Sequence, residues 1–259
     1  CRIDPDDSRK PNGRDGYPRQ GRRESHKQKT IIILSSVSMD QVFFIADFHL
    51  GDHDVFTKDE NGRRMNVNVA VRDNWLLDMW MSQVGKKDCV YILGDLMAYR
   101  GETGENLLSR LPGKKYLIEG NHDENLRAFP GQFRSVELMM NKVFSPMVYP
   151  FLKERLNVTM CHYPMYSWYR KPEGAVLLHG HSHGNLDEFN RNSMELKADI
   201  GVEGELFQSI KRIPTLQDVY EFFMAKAEAF GMPTLALYAR YCYRFKEARY
   251  NLEYSSEID

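Results

Sequence analysis

Five short apolar runs in this chain each end in Asp, Asn or His, and this repetition restricts the fold more than any other feature. With their polar ends, the runs read VFFIADFHLGD (42–52), VYILGDL (90–96), KYLIEGNHD (115–123), VTMCHYP (158–164) and AVLLHGHSHG (175–184). Apolar runs of four to eight residues are typical of buried strands. One such polar residue is an ordinary strand-to-turn residue, but five at the same end of five strands indicate a common chemical purpose.

Length and composition are those of a soluble α/β protein. The chain has 259 residues, enough for one large domain with a real core. Its net charge of −1 gives no overall nucleic-acid footprint. The four cysteines match no zinc or disulfide spacing, which favours a reducing, cytoplasmic compartment. No apolar run approaches the roughly 18 residues of a membrane helix, so no membrane partner is expected.

Composition divides the chain into three parts. Residues 1–38 are predicted to be a disordered tail, since most of this stretch is rich in Pro, Gly and charge, although Thr30–Val37 is apolar enough for a strand. Residues 39–232 contain all five runs and are predicted to be the functional domain. Residues 233–259 are predicted to be a helical extension.

Secondary structure between the runs follows from residue spacing. Val71, Trp75, Leu76, Met79, Trp80 and Val84 recur at helical intervals, which predicts a core-facing helix. Residues 125–141 are predicted to be helix and loop, and Phe144–Phe151 a strand. Residues 53–68 form a polar loop, and Thr215–Ala229 a helix capped by Thr215.

The polar strand ends offer a set of ligands suited to transition metals. The candidates are Asp47, His49, Asp95, Asn121, His162, His181 and His183. Carboxylates with imidazoles and one amide oxygen suit Mn²⁺, Fe, Zn²⁺ or Ni²⁺ better than Ca²⁺. Seven ligands are too many for one ion that must also bind water or substrate, so they predict two ions sharing a carboxylate. Such a pair can hold the attacking and leaving oxygens of a phosphoryl displacement.

In this order and spacing the motifs resemble those of the calcineurin-like metallophosphoesterase superfamily. They stand here as Asp47-Phe48-His49, Gly94-Asp95, Gly120-Asn121-His122-Asp123, His162 and Gly180-His181-Ser182-His183. The resemblance covers about residues 41–202 and looks most like the short single-domain type of bacteria and phages. It implies a four-layer αββα sandwich of two mixed β-sheets flanked by helices, with a dinuclear metal site at the strand ends.

The resemblance also implies how the ligands divide between the ions. Asp95 would bridge the two metals, with Asp47, His49 and His183 completing the first site. Asn121, His162 and His181 would complete the second. Two divalent transition-metal ions are therefore expected, Mn²⁺ in the first place, with Fe, Zn²⁺ or Ni²⁺ as alternatives.

The function expected from this reading is metal-dependent hydrolysis of a phosphoester, with nucleotides among the candidate substrates. A metal-bound hydroxide would attack phosphorus, and His122 would protonate the leaving oxygen, with Asp123 accepting one of its ring N–H groups. Two alternatives are a nuclease, which would need a basic groove, and a non-catalytic scaffold that binds a protein partner. The scaffold is disfavoured because all seven ligands are retained.

Substrate contacts are expected from the loops that adjoin the polar strand ends. The candidates are the cations Arg63, Arg64 and Arg100 and the aromatic residues Tyr163 and Trp168. For Tyr163 and Trp168, packing in the core is the alternative. His179 lies inside an apolar run, so it is interpreted as a hydrogen-bonded core histidine rather than a ligand.

Overall fold

Two four-stranded sheets form the centre of the fold in the computed structural model. The structure describes residues 40–54, 56–58, 64–66 and 68–255; for 56–58, 64–66 and 246–255 it describes the backbone without the side chains. The first sheet has the order β1 (Val42–Ile45), β4 (Cys89–Ile92), β5 (Lys114–Ile118) and β6 (Ser135–Glu137). The second has the order β10 (Lys197–Asp199), β9 (Val176–His179), β8 (Leu156–Cys161) and β7 (Met139–Phe144). Strands β2 (Phe56–Lys58) and β3 (Arg64–Asn66) pair antiparallel as a separate two-stranded sheet.

Six helices accompany the sheets in the described residues. They are α1 (Val69–Gln83), α2 (Gly101–Arg110), α3 (Asp187–Asn192), α4 (Glu205–Ile210), α5 (Leu216–Glu228) and α6 (Leu235–Ser255). Thr215 caps α5 through a reciprocal capping box with Asp218, as the sequence predicts. No described helix combines the length and apolar character needed to cross a bilayer.

Strand direction brings the polar ends together. All three pairs in the first sheet are parallel, because α1 and α2 connect successive strands as crossovers. The second sheet is mixed, since β7 is antiparallel to β8, and in the first sheet Phe43 of β1 adds an antiparallel bridge to Thr215, so the expected α/β fold of two sheets with helices is confirmed. Beyond the strands, Ala46 forms a parallel bridge with Gly201, which joins the two sheets at their carboxyl ends.

The core alternates along each strand with period two. In β1 and just after it, Val42, Phe44 and Ala46 belong to the core between the sheets, whereas Phe43 and Ile45 pack with residues of α1. Both faces are buried, which explains why the run is apolar throughout instead of alternating with polar residues. This packing holds the strand ends at fixed positions.

Several sequence-based expectations about elements are wrong. Residues 145–151 form turns rather than a strand, because Pro146 and Pro150 cannot donate to a sheet and the carbonyl of Ser145 accepts from Val148 and Tyr149. The preceding stretch, expected to be helix and loop, contains β6 and most of β7. Helix α1 is present, but two of the residues expected to face the core, Val71 and Trp75, are exposed.

Candidate metal centre

The predicted ligands stand out by their backbone conformation. Of the seven described non-glycine residues with positive φ, five are predicted ligands: Asp47, His49, Asp95, His181 and His183. A left-handed conformation costs a non-glycine residue about 1–3 kcal/mol and persists only where the surrounding structure enforces it. Such strain concentrates at functional sites, and here it aims side chains from several strand ends toward one place.

Two groups of potential ligand atoms form there. The donor atoms of Asp47, His49 and His183 lie within 4.8 Å of one another, as do those of Asp47, Asp95 and His162. The groups share Asp47, so they are adjacent. The rings of His49 and His183, both in the first group, stack with their centroids 5.3 Å apart.

Asp95 lies between a histidine of each predicted set. Its Oδ2 is 3.6 Å from His49 Nε2 and 3.4 Å from His162 Nε2. Its Oδ1 accepts a hydrogen bond of 2.8 Å from the backbone N–H of His122. One carboxylate oxygen therefore faces imidazoles on both sides while the other fixes its orientation.

The amide of Asn121 completes the second group. Its Oδ1 lies 3.1 Å from His162 Nε2 and 2.9 Å from His181 Nδ1. Asn121 and His181 are exposed, whereas His162 is fully buried. The group therefore opens toward solvent, where a substrate could enter.

Hydrogen bonds orient three of the imidazoles toward the centre. His49 Nδ1 lies 3.2 Å from Asp52 Oδ2, His162 Nδ1 lies 2.8 Å from the Leu93 carbonyl oxygen, and His183 Nδ1 lies 3.1 Å from Glu203 Oε2. In each ring the other nitrogen is left for the centre, the arrangement that metal-binding histidines adopt. His49 Nε2 is buried and has no hydrogen-bond partner, so an ion there would satisfy it.

Glycines pack against the ligand carboxylates and one imidazole. A Cβ added at Gly120 would lie 2.2 Å from Asp95 Oδ1, and one at Gly180 or Gly201 would lie 2.5 Å from Asp47 Oδ2. At Gly94, which has φ of +87°, the added atom would lie 2.3 Å from His162 Nδ1. The ligands reach their positions because no side chain stands at these four places.

Electrostatics indicate that the centre suits cations. Burial, followed by the charge of Asp199, raises the pKa of Asp47 to about 8. The hydrogen bond to Glu203 raises the pKa of His183 to about 9. Burial also acts to raise the pKa of Asp95, but the hydrogen bond and charge of His162 outweigh it and hold that pKa below its ordinary value. Divalent ions would neutralise these buried carboxylates, so the residues present fit a metal centre.

Asp123 has a different place from the one expected. It is fully buried, and its carboxylate accepts hydrogen bonds from the backbone N–H groups of Asp95 (2.7 Å), Gly120 (2.8 Å) and Leu96 (3.0 Å). The expectation that Asp123 accepts from the His122 ring is therefore wrong, because the turn directs the two side chains apart. Asp123 instead ties the end of β4 to the end of β5. His122 is exposed, with its ring 5.3 Å from that of His49.

A second buried carboxylate, Asp199, was missed by the sequence analysis. It accepts hydrogen bonds from the Ser182 hydroxyl, the Gly184 N–H (3.0 Å) and the Gly201 N–H (2.8 Å). These contacts hold the loop that contains His181 and His183. Asp199 is the last residue of β10, but this strand contains Lys197 and is not an apolar run, so the pattern of apolar runs with polar ends did not identify it.

Helix α1 fixes the loop that contains His49. Arg72, in the first turns of this helix, donates to the carbonyl oxygens of His49 and, at 3.3 Å, Asp52. Asp73 accepts from the Gly51 N–H at 2.6 Å. Neither residue was identified from sequence, since each reads as an ordinary charged position on a helix.

The expected substrate contacts are only partly near this centre. Tyr163 is 45% exposed, and its ring lies 4.8 Å from that of His181. Trp168 is buried and donates to the Ala175 carbonyl oxygen at 2.8 Å, so it packs in the core, the alternative that the sequence left open. Arg100 is exposed at the start of α2. Arg63 lies outside the described residues, as does the side chain of Arg64.

His179 is a buried core residue, as predicted. Its Nδ1 lies 2.9 Å from the Gly180 carbonyl oxygen, and its Nε2 lies 3.2 Å from Asn190 Nδ2. Both ring nitrogens are therefore occupied, one by the residue directly after β9 and the other by α3.

Known proteins resemble this chain over more than half of its length. Gene 66 protein of Mycobacterium phage D29 is 31% identical over 57% of this chain and 81% of its own length. An uncharacterized protein of Methanocaldococcus jannaschii, MJ1445, is 30% identical over 59% of this chain and 76% of its own length. A solved structure, the protein of unknown function AQ665 from Aquifex aeolicus, covers 71% of this chain with 19% identity and a TM-score of 0.49.

The family comparison covers every predicted ligand. The model of the calcineurin-like phosphoesterase family matches residues 41–185, from the start of β1 to just past His183. This range is more than half of the chain, and it contains all seven predicted ligands, whereas Asp199 and Glu203 lie beyond it. The chain belongs to the calcineurin-like phosphoesterase family.

Proposed function

We propose that this protein hydrolyses a phosphoester with the help of two divalent metal ions. The observation that carries the proposal is the position of the Asp95 carboxylate, with Oδ2 between the buried Nε2 atoms of His49 and His162. A carboxylate shared between two sets of imidazoles is what a two-metal centre requires. The family to which the chain belongs supports the same chemistry.

Seven residues would hold the ions. Asp47, His49 and His183 would bind one ion with Asp95, and Asn121, His162 and His181 would bind the other with Asp95. The two groups of donor atoms also share Asp47, whose carboxylate lies close to both. The mixed carboxylate, imidazole and amide ligands favour Mn²⁺, with Fe, Zn²⁺ and Ni²⁺ as the other candidates.

Ions bound there would supply Lewis acidity, which activates water and neutralises the charge that develops on the phosphoryl oxygens. The protein's own contribution begins with orientation, since Asp52 and Glu203 hold two of the imidazoles in place. His122 is exposed beside His49 and would donate a proton to the departing oxygen. Asp123 would act through the backbone by holding Asp95 and Gly120 in position.

Tyr163 is the residue we propose to contact the substrate outside the phosphoryl group. Its half-exposed ring lies beside His181 at the open side of the centre, where the alcohol part of an ester would sit. An aromatic face there favours esters with a flat or apolar substituent, including nucleosides.

Substitution of the shared carboxylate tests the function. Asp95→Asn should lower the Mn²⁺ content of the loaded protein from about two ions per chain to fewer than one. Hydrolysis of bis(p-nitrophenyl) phosphate should fall at least 10²-fold, on the order expected when a catalytic metal is lost. The matched control is Asp78→Asn, which makes the same change at an exposed position on α1. Elemental analysis and initial rates provide the measurements.

Two results would contradict the proposal. Full metal content in Asp95→Asn would show that this carboxylate is not shared between the ions. Absence of hydrolysis by wild-type protein that retains two ions, across monoesters, diesters and cyclic nucleotides, would remove the enzymatic function itself.

A further inference from the structure

An exposed apolar edge, residues 136–148, lies outside the residues of the metal centre. It contains all of β7 and the last two residues of β6, and each of these strands is the last strand of its sheet. Six of its large apolar side chains are exposed: Val136 (36%), Leu138 (71%), Met139 (44%), Val143 (59%), Met147 (93%) and Val148 (53%). Apolar residues gathered on a surface in this way mark an interaction site more often than isolated ones do.

Strand β7 provides the hydrogen-bonding part of this edge. It pairs with β8 over its whole length, from Met139 opposite Cys161 to Phe144 opposite Leu156. No strand within the described residues pairs with its other side. Its side chains alternate, so that Met139, Asn141 and Val143 are exposed while Met140 and Phe144 are buried. A strand of this length with an open backbone and apolar outer positions can accept a further strand.

We propose that the 136–148 edge is the interface of a homodimer, in which β7 pairs antiparallel with β7 of a second copy. The two-fold axis passes beside Asn141, and Met139 of each chain lies opposite Val143 of the other. The two second sheets then form one sheet of eight strands across the dimer.

The pairing register follows from the residues on β7. In an antiparallel pair, opposite residues either both point their backbone groups at the partner or both point them away. The two-fold axis that relates two identical strands can therefore pass through a residue position but not between two residues, because neighbouring residues point their backbone groups to opposite sides. Centring on Lys142 would place two ammonium groups opposite each other, which is destabilising. Centring on Met140 would place Met139 opposite Asn141, whereas centring on Asn141 pairs apolar side chains twice.

Charge favours a second copy of this chain as the occupant. The stretch 138–144 contains one charged residue, Lys142, and in this register it lies opposite Met140. The whole chain has a net charge of −1, so two copies repel each other little. A two-fold pair also closes on itself and leaves neither β7 strand exposed, which prevents further edge-to-edge aggregation.

The mass of the protein in solution tests this inference without reference to catalysis. Sedimentation velocity or light scattering across about 1–100 µM chain should show a dimer that dissociates at the lower concentrations. Val143→Lys adds a charge on the edge and should yield a monomer. The control is Val71→Lys, because Val71 is a similarly exposed valine (64%) on α1, and this variant should remain dimeric. Val71→Lys should keep the wild-type melting temperature, and Val143→Lys should match that of the wild type at concentrations where the wild type is monomeric, because dimerisation itself stabilises the folded chain.

A cross-link tests the register. Asn141→Cys places two thiols on opposite sides of the axis, so a short bis-maleimide should join the chains, whereas Val71→Cys should give no more cross-linking than wild type. A monomeric wild-type protein at all of these concentrations would overturn the proposal and leave the edge for a different partner. A dimer that survives Val143→Lys, or an Asn141→Cys variant that does not cross-link above wild type, would also overturn it.

Discussion

Among individual residues, His122 differs most clearly from its neighbours in the metal centre. Asn121, directly before it, points Oδ1 at two imidazoles. His122 itself is exposed, and its backbone N–H rather than its ring contacts Asp95. The proposed role of this exposed side chain is to donate a proton to the leaving group of a bound ester.

His122→Ala should therefore retain both ions and lose rate in proportion to the need for a proton. General acid catalysis contributes roughly 10²–10⁴-fold, most of it when the leaving alkoxide is strongly basic. We expect a large loss of turnover on alkyl phosphoesters and a small loss on nitrophenyl esters. Equal losses on both substrates would indicate charge stabilisation instead, and loss of a metal ion would make His122 a ligand.

Asp47 and His183 bind protons that metal ions must displace. Their pKa values are raised, to about 8 and about 9, so in the metal-free protein both groups hold their protons near neutral pH. Metal ligands must be deprotonated. Mn²⁺ affinity measured by titration calorimetry should therefore rise between about pH 6 and pH 9, roughly tenfold per pH unit for each proton displaced. A flat profile would show that these two groups do not bind the ions.

At the scale of secondary-structure elements, the turns after the strands restrict which residues can be accommodated beside the predicted ligands more than the strands do. Four strands, β4, β5, β9 and β10, are followed by a glycine that makes room for a predicted ligand from another strand. Gly120 follows β5 and lies against Asp95, which follows β4. The position of each ligand thus depends on a neighbouring element.

Gly120→Ala should displace the Asp95 carboxylate, because the added Cβ would lie 2.2 Å from its Oδ1. We expect Mn²⁺ affinity to fall at least tenfold, which corresponds to about 1.4 kcal/mol of binding free energy. Gly131→Ala is the control, since an added Cβ there meets no atom within 4 Å. Unchanged affinity in Gly120→Ala would mean that the turn can relax without moving the ligand.

At the scale of the whole molecule, the compact unit that begins at Met39 contains every residue of the centre. Deletion of residues 1–38 should therefore leave the melting temperature within about 2 °C and leave turnover unchanged, because most of this stretch has little apolar surface to bury. Differential scanning calorimetry measures the first and initial rates the second. A large fall in melting temperature would show that Thr30–Val37 adds a strand to the core.

Local pattern was sufficient to identify the family and the strands that contain the site. The apolar runs at β1, β4, β5, β8 and β9 are recognisable because both faces of each strand are buried. Elements with mixed faces were harder to identify. Strand β7 alternates exposed and buried residues next to two prolines, so its boundaries were misplaced. Helix α1 has large apolar residues on both sides, Val71 and Trp75 on the exposed side and Leu76 on the buried side, so residue type alone did not distinguish the two sides.

The sequence by itself determined which residues meet at the strand ends, because the order and spacing of Asp47, Asp95 and His162 can be read from the chain before the packing is known. Only the tertiary structure decided what surrounds them. Asp123 turns inward to three backbone amides, and Asp199 supports a loop on the other sheet; both depend on contacts between residues distant in sequence. Such contacts leave no periodic pattern, since a buried carboxylate and an exposed one are the same letter until the chain has folded around it.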